Sequence, residues 1–379
     1  MKVIVIGAGI AGLTTAIALR KAGIDVEIYE KVRELREVGA GISLWANAIR
    51  ALDQLGLGSA IRDRSVSYAR TALRRSDGTV IIESPLEEIV SRLGAAMIVL
   101  HRAELMALLS ASVQDAIHLD HECTGFEQKD DAVVARFANG TAARADVLAA
   151  ADGIRSIVRS QFHPRERIRY AGYTAWRCVT KFDTTRMLTG ESWGRGRRFG
   201  IVPMSGGLVY WFATQNTPPG QSDRPGQAKQ NLLELFGSWH DPIPALLKAS
   251  DEPAILRNDI VDRDPLASWG AGRVTLLGDA AHPMTPNLGQ GGCQGIEDAL
   301  VLARVLSSRS PVEAALRFYE QQRVARTTPI VLRSRQVGVL GQLENPLARR
   351  LRDFVLGCVA ASTTLRQLES VVGYQEHLQ

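Results

Sequence analysis

Residues 2–30, KVIVIGAGIAGLTTAIALRKAGIDVEIYE, are the stretch that decides the fold. The β-branched run over 2–6 predicts a strand, and the apolar spacing over 11–22 predicts a helix that ends near Gly23. A second strand is predicted over 25–29. A strand, a helix and a strand within about 30 residues predict a βαβ unit, which is the smallest half of a nucleotide-binding domain.

The turn between the first strand and the helix carries a GxGxxG pattern. We expect Gly7 to permit the tight turn, Gly9 to let a pyrophosphate approach the backbone, and Gly12 to let the helix pack closely on the sheet. The helix N-terminus adds amide donors and a partial positive charge. Glu30 ends the second strand, where a carboxylate bonds the hydroxyl pair of a ribose and repels a 2′-phosphate. The pattern therefore predicts FAD or NAD rather than NADP.

Two further motifs favour FAD over NAD. ADGIRSIVR at 151–159 contains Asp152 and Gly153, and GDAAHPMTPNLGQGGC at 278–293 contains Asp279. Each motif places an aspartate at the end of an apolar strand, which is where a parallel sheet binds its ligands. The glycine-rich run that follows precedes a helix, so its amides can stabilise negative charge on a reduced isoalloxazine ring.

The rest of the chain predicts an α/β protein of about two domains for 379 residues. Hairpin turns are predicted at SDG (76–78) and NG (139–140), and short strands follow one another from about 165 to 260. The nucleotide-binding domain is predicted to be discontinuous, with a mostly antiparallel β-sheet substrate domain inserted and a helical C-terminus. The predicted boundaries are 1–70, 98–165 and 268–340 for the nucleotide-binding domain, 71–97 and 166–267 for the sheet domain, and 341–379 for the C-terminal helical segment.

The C-terminal part from 294 onward is predicted to be largely helical, with Pro311, Pro329 and Pro346 as breakers and with Asn47 as a possible cap of an earlier helix. Near its end, apolar residues recur at helical spacing and predict a helix that packs on the body or forms a dimer contact. These residues are Leu351, Phe354, Val355, Val359 and Leu365. The sequence leaves monomer and homodimer open.

Composition excludes several classes of protein. With 22% charged and 45% hydrophobic residues the chain is not disordered, and its formal net charge of +5 is mild. No nucleic-acid-reading motif occurs and the arginines are not interleaved with aromatic residues. The four cysteines form no CxxC pair, so no metal site is predicted. Without a signal peptide or an apolar run of about 20 residues, we expect a soluble, cytoplasmic protein with no membrane span.

Two features of the sequence each allow two interpretations. Between Arg155 and Arg198 there are eleven basic and three acidic residues. This basic segment either attracts an anionic ligand to a cleft or is a solvated arginine-rich surface. His282 is either a general base or, as we favour, a structural residue beside the bound nucleotide.

The three glycine and aspartate motifs together resemble the class A flavoprotein monooxygenases, the p-hydroxybenzoate hydroxylase family, over roughly residues 1 to 330. GAGISLWAN (39–47), HRAEL (101–105) and RYAGYTAWR (169–177) look like the small single-FAD branch of that family. This branch includes FAD-dependent urate hydroxylase, salicylate-hydroxylase-like enzymes and, more distantly, zeaxanthin epoxidase. The resemblance implies a Rossmann-like FAD-binding domain of the GR2 type.

The resemblance also implies which residues bind the cofactor. It places Glu30 at the adenosine ribose, Arg102 and Asp279 at the pyrophosphate and ribityl region, and Ser43 near the phosphates. It assigns Asp152 and Gly153 to the motif that serves FAD and the transient reductant, NADH or NADPH. The remaining implied cofactor-binding residues are Gly7, Gly9, Gly12, Lys31, Gly289, Gln290, Gly291, Gly292 and Cys293, of which the last five lie against the flavin ring.

For catalysis, the resemblance implies that NADH or NADPH reduces the flavin and that O2 then adds at its C4a atom as a hydroperoxide, which hydroxylates an aromatic or heteroaromatic small molecule. Arg198 and Tyr210 match catalytic and substrate-binding positions, and Arg177 is a further substrate-binding candidate. An anionic substrate suits these arginines. The urate enzyme carries an uncharged residue at the position of Arg177, which argues against urate itself. The alternatives are an isoprenoid epoxidase or flavin reductase of the same fold, and a non-catalytic flavin-binding redox sensor.

Overall fold

The computed structural model describes residues 1–35, 40–68, 70–129, 131–184, 187, 189–308, 311–358 and 361–376. Its strands are β1 (Lys2–Ile6), β2 (Asp25–Tyr29), β3 (Gly41–Leu44), β4 (Val66–Ser67), β5 (Arg70–Arg75), β6 (Val80–Pro85), β7 (Ile98–His101), β8 (Ile117–His118), β9 (Cys123–Lys129), β10 (Ala132–Phe137), β11 (Ala142–Ala145), β12 (Val147–Ala150), β13 (Arg169–Lys181), β14 (Thr189–Trp193), β15 (Arg197–Met204), β16 (Leu208–Asn216), β17 (Leu256–Asp262) and β18 (Val274–Leu276). Its helices are α1 (Ile10–Lys21), α2 (Ala46–Gln54), α3 (Gly58–Arg62), α4 (Leu86–Leu93), α5 (Arg102–Ala111), α6 (Ile157–Phe162), α7 (Ala228–Phe236), α8 (Ile243–Ala249), α9 (Gly291–Ser307), α10 (Val312–Gly341), α11 (Pro346–Cys358) and α12 (Ala361–Val372).

A parallel sheet forms the nucleotide-binding half of the molecule. Its five strands lie in the order β18-β12-β1-β2-β8, and every neighbouring pair is parallel. Val3, Ile4 and Val5 are fully buried, as expected for a central strand that is covered on both faces. Helix α1 leads from β1 to β2 and packs against α9. The predicted βαβ unit is confirmed.

A mixed sheet of seven strands forms the other half, in the order β17-β13-β16-β15-β14-β5-β6. Its pairs are antiparallel except β14 with β5. Because side chains alternate along a strand, its two faces differ. One face buries Trp176, Phe199 and Trp211 against α7 and α8. The opposite face carries the polar residues described below.

Two small antiparallel sheets complete the strands. One has the order β11-β10-β9, and the predicted Asn139-Gly140 turn joins β10 to β11. The other has the order β3-β7-β4 and sets Gly41 of β3 opposite His101 of β7, next to the start of α5. The second predicted hairpin is also confirmed, since β5 and β6 pair across the 76–78 turn.

Two local predictions for helices are wrong. Pro329 lies inside α10, which continues through it, although an interior proline costs about 3 kcal/mol. The neighbouring Ile330 and Val331 are buried, and α10 packs along α9, so tertiary contacts outweigh that cost. Asn47 lies within α2 and does not cap it, since its side chain is drawn into buried hydrogen bonds elsewhere. Pro311 and Pro346 do mark helix boundaries.

For α11, the first predicted alternative, packing of the C-terminal apolar stripe on the body, is wrong, whereas the second, a dimer contact, stays a prediction. Leu351, Phe354 and Val355 are 64%, 69% and 50% exposed, while Arg352 and Asp353 on the same helix are buried as an ion pair. The α11 helix is thus anchored by charge, and its apolar side chains face outward. Val359 and the side chain of Leu365 lie outside the part of the chain that the structure describes.

The predicted fold class is confirmed: an α/β protein has a Rossmann-like parallel sheet, a mostly antiparallel second sheet and a helical C-terminus. Strands β5 and β6 belong to the same sheet as β13 to β17. The exact domain boundaries stay a prediction. Over the described residues, no helix combines the length and the apolar character that crossing a bilayer requires.

Candidate active site

The first glycine-rich loop has the geometry that its sequence predicts. Gly7 has φ +101°, and a Cβ atom there would stand 2.5 Å from the carbonyl oxygen of Ala151. A Cβ atom at Gly12 would stand 1.9 Å from the carbonyl oxygen of Gly7. At Gly9, by contrast, a Cβ atom would meet nothing within 4 Å. The loop therefore needs two glycines for its own packing and leaves open space at the third, in front of the N-terminus of α1.

Glu30 lies against this loop. Its Oε2 accepts a hydrogen bond from the backbone amide of Ala8 at 2.7 Å, and its Oε1 accepts one from the amide of Val32 at 3.2 Å. The carboxylate thus holds the end of β2 beside the loop. Lys31, the next residue, is exposed.

The second motif joins the first at the end of β12. A Cβ atom at Gly7 would lie 3.2 Å from the Cα atom of Asp152. Asp152 Oδ2 accepts a hydrogen bond from the amide of Ile157 at 2.9 Å, whereas its Oδ1 is buried without a partner among the described residues. Burial raises the pKa of this carboxyl, and a hydrogen bond from Ser156 opposes the rise. Gly153 has φ +78°, a conformation that favours glycine.

The third motif brings Asp279, Arg102 and the second glycine-rich loop together. A Cβ atom at Gly291 would lie 3.8 Å from Asp279 Oδ1. The Asp279 side chain is in contact with solvent, but protein atoms surround its carboxyl and partly desolvate it, which raises its pKa. The nearby charges of His282 and Arg102 act to lower that pKa. Gly289 adopts φ +61°, and a Cβ atom on Gly292 would stand 3.3 Å from Ile42 of β3.

Ser43 and Cys293 meet behind this loop. The Cys293 thiol is fully buried and donates to the carbonyl of Gly289 at 3.6 Å and to that of Ser43 at 3.9 Å. Burial raises the pKa of this thiol to about 12. The cysteine therefore stays protonated and acts as a packing residue beneath the loop rather than as a nucleophile.

The sequence interpretation missed a network of buried charges under the second loop. Arg323 of α10 is fully buried and donates to Asp298 Oδ1 and to Glu297 Oε2, both at 2.6 Å. It also donates to the Gln294 side chain at 2.8 Å. Two adjacent acids inside an otherwise apolar helix, in IEDALVLA (296–303), were the available signal.

This network reaches the loop itself. Glu297 Oε1 accepts from Asn47 Nδ2 at 2.6 Å, and the same amide group donates to Gln290 Oε1 at 3.1 Å. Asp298 Oδ2 accepts from the amide of Gly278 at 2.7 Å. Burial by itself would raise the pKa of Asp298, but His282, Arg323 and these hydrogen bonds lower it to about 2.

His282 belongs to the same network. Its Nε2 lies 2.7 Å from Asp298 Oδ2, the residue is buried, and its ring packs on Trp269 with centroids 5.5 Å apart. These contacts give His282 a structural position beneath the GD motif, as favoured from the sequence.

The three predicted substrate residues share the polar face of the seven-stranded sheet. Arg177 is paired with Phe212, Arg198 with Thr214 and Tyr210 with Val202, and strand alternation points these side chains to one side. Arg177 lies beside Tyr210, close enough to act on its hydroxyl. Burial raises the pKa of Tyr210, and the neighbouring Arg177 acts to lower it.

This face reaches the surroundings of the second loop at two points, one on β3 and one on the turn before the loop. A Cβ atom on Gly41 would stand 2.6 Å from the Tyr210 ring, so Tyr210 packs directly on the start of β3. Arg198 is buried and donates to Asn287 Oδ1 at 2.7 Å and to Gln342 Oε1 at 3.0 Å. Asn287 stands two residues before Gly289, so Arg198 reaches the turn that leads into the loop.

The basic segment between Arg155 and Arg198 does not line one cleft. Arg159 is buried, pairs with Glu166 and donates to the carbonyls of Ala280 and Ala281 at 2.9 and 2.7 Å. Arg169 pairs with Asp262 at 2.7 Å. These two arginines are held by local pairs, whereas other basic residues of the segment are exposed: Arg155, Arg165, Arg167, Lys181 and Arg195.

The residues at the two loops fit a bound FAD. Open space lies at Gly9, in front of a helix N-terminus that suits a pyrophosphate. Trp45 Nε1 and Gln290 Nε2 are buried donors that find no hydrogen-bond partner within the described part of the chain. Gln290 belongs to the 289–292 loop, and Trp45 borders it, since Trp45 Nε1 would lie 3.1 Å from a Cβ atom on Gly289. Unsatisfied buried donors are costly, and the polar edge of a flavin can satisfy them.

Comparison with known proteins agrees with this geometry. The family model for the FAD binding domain matches residues 1–334. The aurachin C monooxygenase/isomerase of Stigmatella aurantiaca is 43% identical over 356 residues, covering 93% of each chain. The FAD-dependent urate hydroxylase of Klebsiella pneumoniae is 36% identical over 345 residues, covering 89% of each chain.

A solved structure shares the whole architecture. Klebsiella pneumoniae HpxO complexed with FAD and uric acid superposes with a TM-score of 0.93 at 32% identity, over 98% of this chain and 96% of that one. The resemblance predicted from the motifs is confirmed. The chain belongs to the FAD binding domain family, among the class A flavoprotein monooxygenases.

Proposed function

We propose that this protein is an FAD-dependent monooxygenase that uses NADH or NADPH and O2 to hydroxylate an anionic aromatic or heteroaromatic small molecule. One observation carries the proposal: the sheet face with Arg177, Arg198 and Tyr210 borders the second glycine-rich loop. Tyr210 packs on Gly41 of β3, whose neighbour Ile42 lies against Gly292, and Arg198 bonds Asn287 just before the loop. The names of the two relatives, a monooxygenase/isomerase and a urate hydroxylase, support the same class of reaction.

The bound flavin would supply electron transfer from the nicotinamide to O2 and, from that, an electrophilic oxygen. The chain would hold it through the open loop at Gly9, through Glu30 and through Arg102 with Asp279. Gln290 and Trp45 would satisfy its polar edge. Since these roles follow from the resemblance and the local geometry together, each stays a proposal for the individual residue.

Arg177 and Tyr210 act on the substrate in this proposal. In this proposal Arg177, which lies beside Tyr210, donates to the tyrosine oxygen, so the tyrosine's own proton is free to be donated to a phenolate, carboxylate or ring oxygen. The raised pKa of Tyr210 keeps that proton in place at neutral pH. A guanidinium behind the tyrosine favours an anion over a neutral analogue. Electron-rich anions are also the better partners for an electrophilic oxygen.

Arg198 has a different task here. Its nitrogens bond Asn287 and Gln342, and Nη1 lies 3.6 Å from Glu191, so the protein already engages this guanidinium. We infer that Arg198 mainly holds the turn before the loop and adds positive potential to the face. Phe212 lies on the same face beside Gly200, where it supplies an apolar wall that helps to exclude water.

The test is a substrate screen on the purified protein loaded with FAD. Phenolic carboxylates, purines and isoprenoid alcohols are compared for NADH or NADPH consumption and for hydroxylated product, each anion beside its uncharged amide, for example 4-hydroxybenzoate with 4-hydroxybenzamide. We expect anionic aromatics to stimulate consumption and to yield product. Stimulation by isoprenoids alone would favour an epoxidase, and flavin binding without any stimulation would favour a redox sensor.

A further inference from the structure

The C-terminal segment 368–376 is tied to the nucleotide-binding half by several arginines, although it lies beyond the family-matched residues 1–334. Arg50 donates to the carbonyls of Val372 and Tyr374 at 3.1 and 2.7 Å. Arg326 of α10 donates to the carbonyl of Ser370 at 3.1 Å and also to that of Val371. Carbonyls at the end of α12 have no partners within the helix, so these arginines take the place of a cap.

Arg326 also faces the network beneath the second loop. Its Nη2 lies 3.2 Å from Glu297 Oε1, and its Nε lies 3.3 Å from Glu297 Oε2. Glu297 in turn accepts from Asn47, whose amide donates to Gln290. The Arg326 guanidinium therefore connects the C-terminal segment, through Glu297 and Asn47, to Gln290 of the second glycine-rich loop.

An aromatic ring and an apolar contact reinforce the connection. The Tyr374 ring lies 4.8 Å from the Arg326 guanidinium carbon and 5.8 Å from that of Arg323, within the range of cation–π attraction. Val372 is fully buried in a cluster that includes Trp45 and Leu288, which flank the loop. The segment thus contacts the loop surroundings by charge on one side and by apolar packing on the other.

We propose that Arg326 is a positioning residue that transmits the seating of the C-terminal segment to the Gly289–Gly292 loop, so that the loop is held rigid for the flavin only when Tyr374 is in place. The effect on catalysis rests on the proposed function, whereas the effect on the rigidity of the loop does not. When Tyr374 is removed, Arg326 loses the ring that packs on it and holds Glu297 less firmly, although Arg323 still bonds Glu297. The contact of Glu297 with Asn47, and through Asn47 with Gln290, then loosens.

The consequence for turnover is specific. A loose loop weakens the hold on the flavin ring and admits water, so more reduced flavin is expected to release H2O2 instead of hydroxylating the substrate. Oxidation of NADH or NADPH continues, but the fraction of it that yields hydroxylated product falls. A merely structural role of Arg326 would change stability without changing this ratio.

The experiment is a double-mutant cycle in the full-length protein with Arg326→Gln, Tyr374→Ala and both together. The first readout is hydrogen–deuterium exchange of the amides of residues 289–296 without FAD, which needs neither cofactor nor substrate. The second is the visible absorption spectrum of bound FAD, and the third is the ratio of H2O2 to nicotinamide consumed. Arg92→Gln is the matched control, because Arg92 pairs with Glu369 of the segment at 3.6 Å without contacting the network.

We expect each single substitution to raise loop exchange on the order of tenfold, and the double variant to exchange no faster than Arg326→Gln alone. Arg326→Lys is expected to restore part of the protection, and Arg92→Gln to leave it unchanged. Unchanged loop exchange in Arg326→Gln, or full additivity of the two substitutions, would overturn the proposal. If no substrate is ever found, the exchange result still stands, so failure of the proposed function is distinguished from failure of this inference.

Discussion

The two sides of the candidate site are built in opposite ways. Under the second glycine-rich loop, Glu297, Asp298 and Arg323 are completely or almost completely buried and bonded to one another. On the sheet face, Arg198 is buried and bonded to Asn287 and Gln342, but Arg177 and Tyr210 are half-buried neighbours. The cofactor side is held by many mutually dependent contacts, whereas Arg177 and Tyr210 on the substrate side have few. We therefore expect substitutions beneath the loop to reduce stability, and substitutions of Arg177 or Tyr210 to change substrate specificity at little cost in stability.

The energies follow the same contrast. Breaking a buried ion pair from one side costs about 3–5 kcal/mol, because the remaining charge is left buried and uncompensated. A hydrogen bond at a half-buried face contributes about 0.5–1.5 kcal/mol, or about 1.5–3 kcal/mol when one partner is charged. Substitutions beneath the loop should therefore mainly lower stability, whereas substitutions on the sheet face should have smaller effects, mainly on substrate binding.

The largest effect is expected for Arg323→Met. The substitution leaves Glu297 and Asp298 without their shared cation, so the free energy of unfolding of the cofactor-free protein should fall by about 3–5 kcal/mol. Urea denaturation followed by fluorescence measures it. Arg92→Met removes an exposed pair with Glu88 and should cost at most about 1 kcal/mol. Equal losses in the two variants would contradict the comparison.

On the sheet face, Arg177→Met should leave stability nearly unchanged and weaken anionic substrates. We expect kcat/KM for an anionic aromatic to fall about 10- to 100-fold, because a charged hydrogen bond of about 1.5–3 kcal/mol is lost. The value for the neutral amide should fall much less. Lys181→Met, an exposed cation on the same strand, is the control. A loss of the same size for charged and neutral substrates would show that Arg177 does not select for charge.

The glycines of the first loop separate folding from binding. Gly12→Ala should destabilise the protein by about 1–3 kcal/mol, since the new Cβ atom overlaps the Gly7 carbonyl oxygen. Gly9→Ala has room and should leave stability within about 0.5 kcal/mol. It should nevertheless weaken FAD binding about tenfold or more, because it fills the space expected for the pyrophosphate. Titration of FAD by fluorescence tests this, and unchanged affinity in Gly9→Ala would place the pyrophosphate elsewhere.

The smallest effect is expected for Tyr210→Phe, because the Arg177 guanidinium remains beside the anion and offsets part of the lost hydrogen bond, which leaves a net loss of about 1 kcal/mol. We expect kcat/KM to fall about fivefold, with bound FAD and its spectrum unaltered. Tyr170→Phe removes a hydroxyl that bonds the carbonyl of Thr217 at 2.6 Å and should leave kcat/KM unchanged. A fall of about a hundredfold would instead assign Tyr210 a direct part in proton transfer.

The sequence predicts best where the structure depends on neighbours along the chain. The β1–α1–β2 unit, both hairpin turns and the strands that carry Arg177, Arg198 and Tyr210 all follow from local periodicity and turn residues. Their shared face could be predicted as well, because alternation along paired strands is a local rule.

What the sequence did not reveal depends on distant packing. Arg323 meets Glu297 and Asp298 only because α10 lies along α9, and this same packing carries α10 through Pro329. From the local sequence Asn47 is typical of a helix cap, but its side chain bonds Gln290 and Glu297, which are distant in sequence. The apolar stripe of α11 faces outward because its charged residues find buried partners, which helical spacing alone does not indicate.

The most direct test of the central claim is oxygen isotope incorporation. The FAD-loaded protein is incubated under ¹⁸O2 with NADH or NADPH and with the best anionic aromatic from the substrate screen, and the product is analysed by mass spectrometry. The account predicts a hydroxylated product whose new oxygen comes from ¹⁸O2, formed in step with nicotinamide consumption and suppressed in Arg177→Met. Product oxygen derived from water, or nicotinamide consumption that yields only H2O2 across the whole screen, would contradict it.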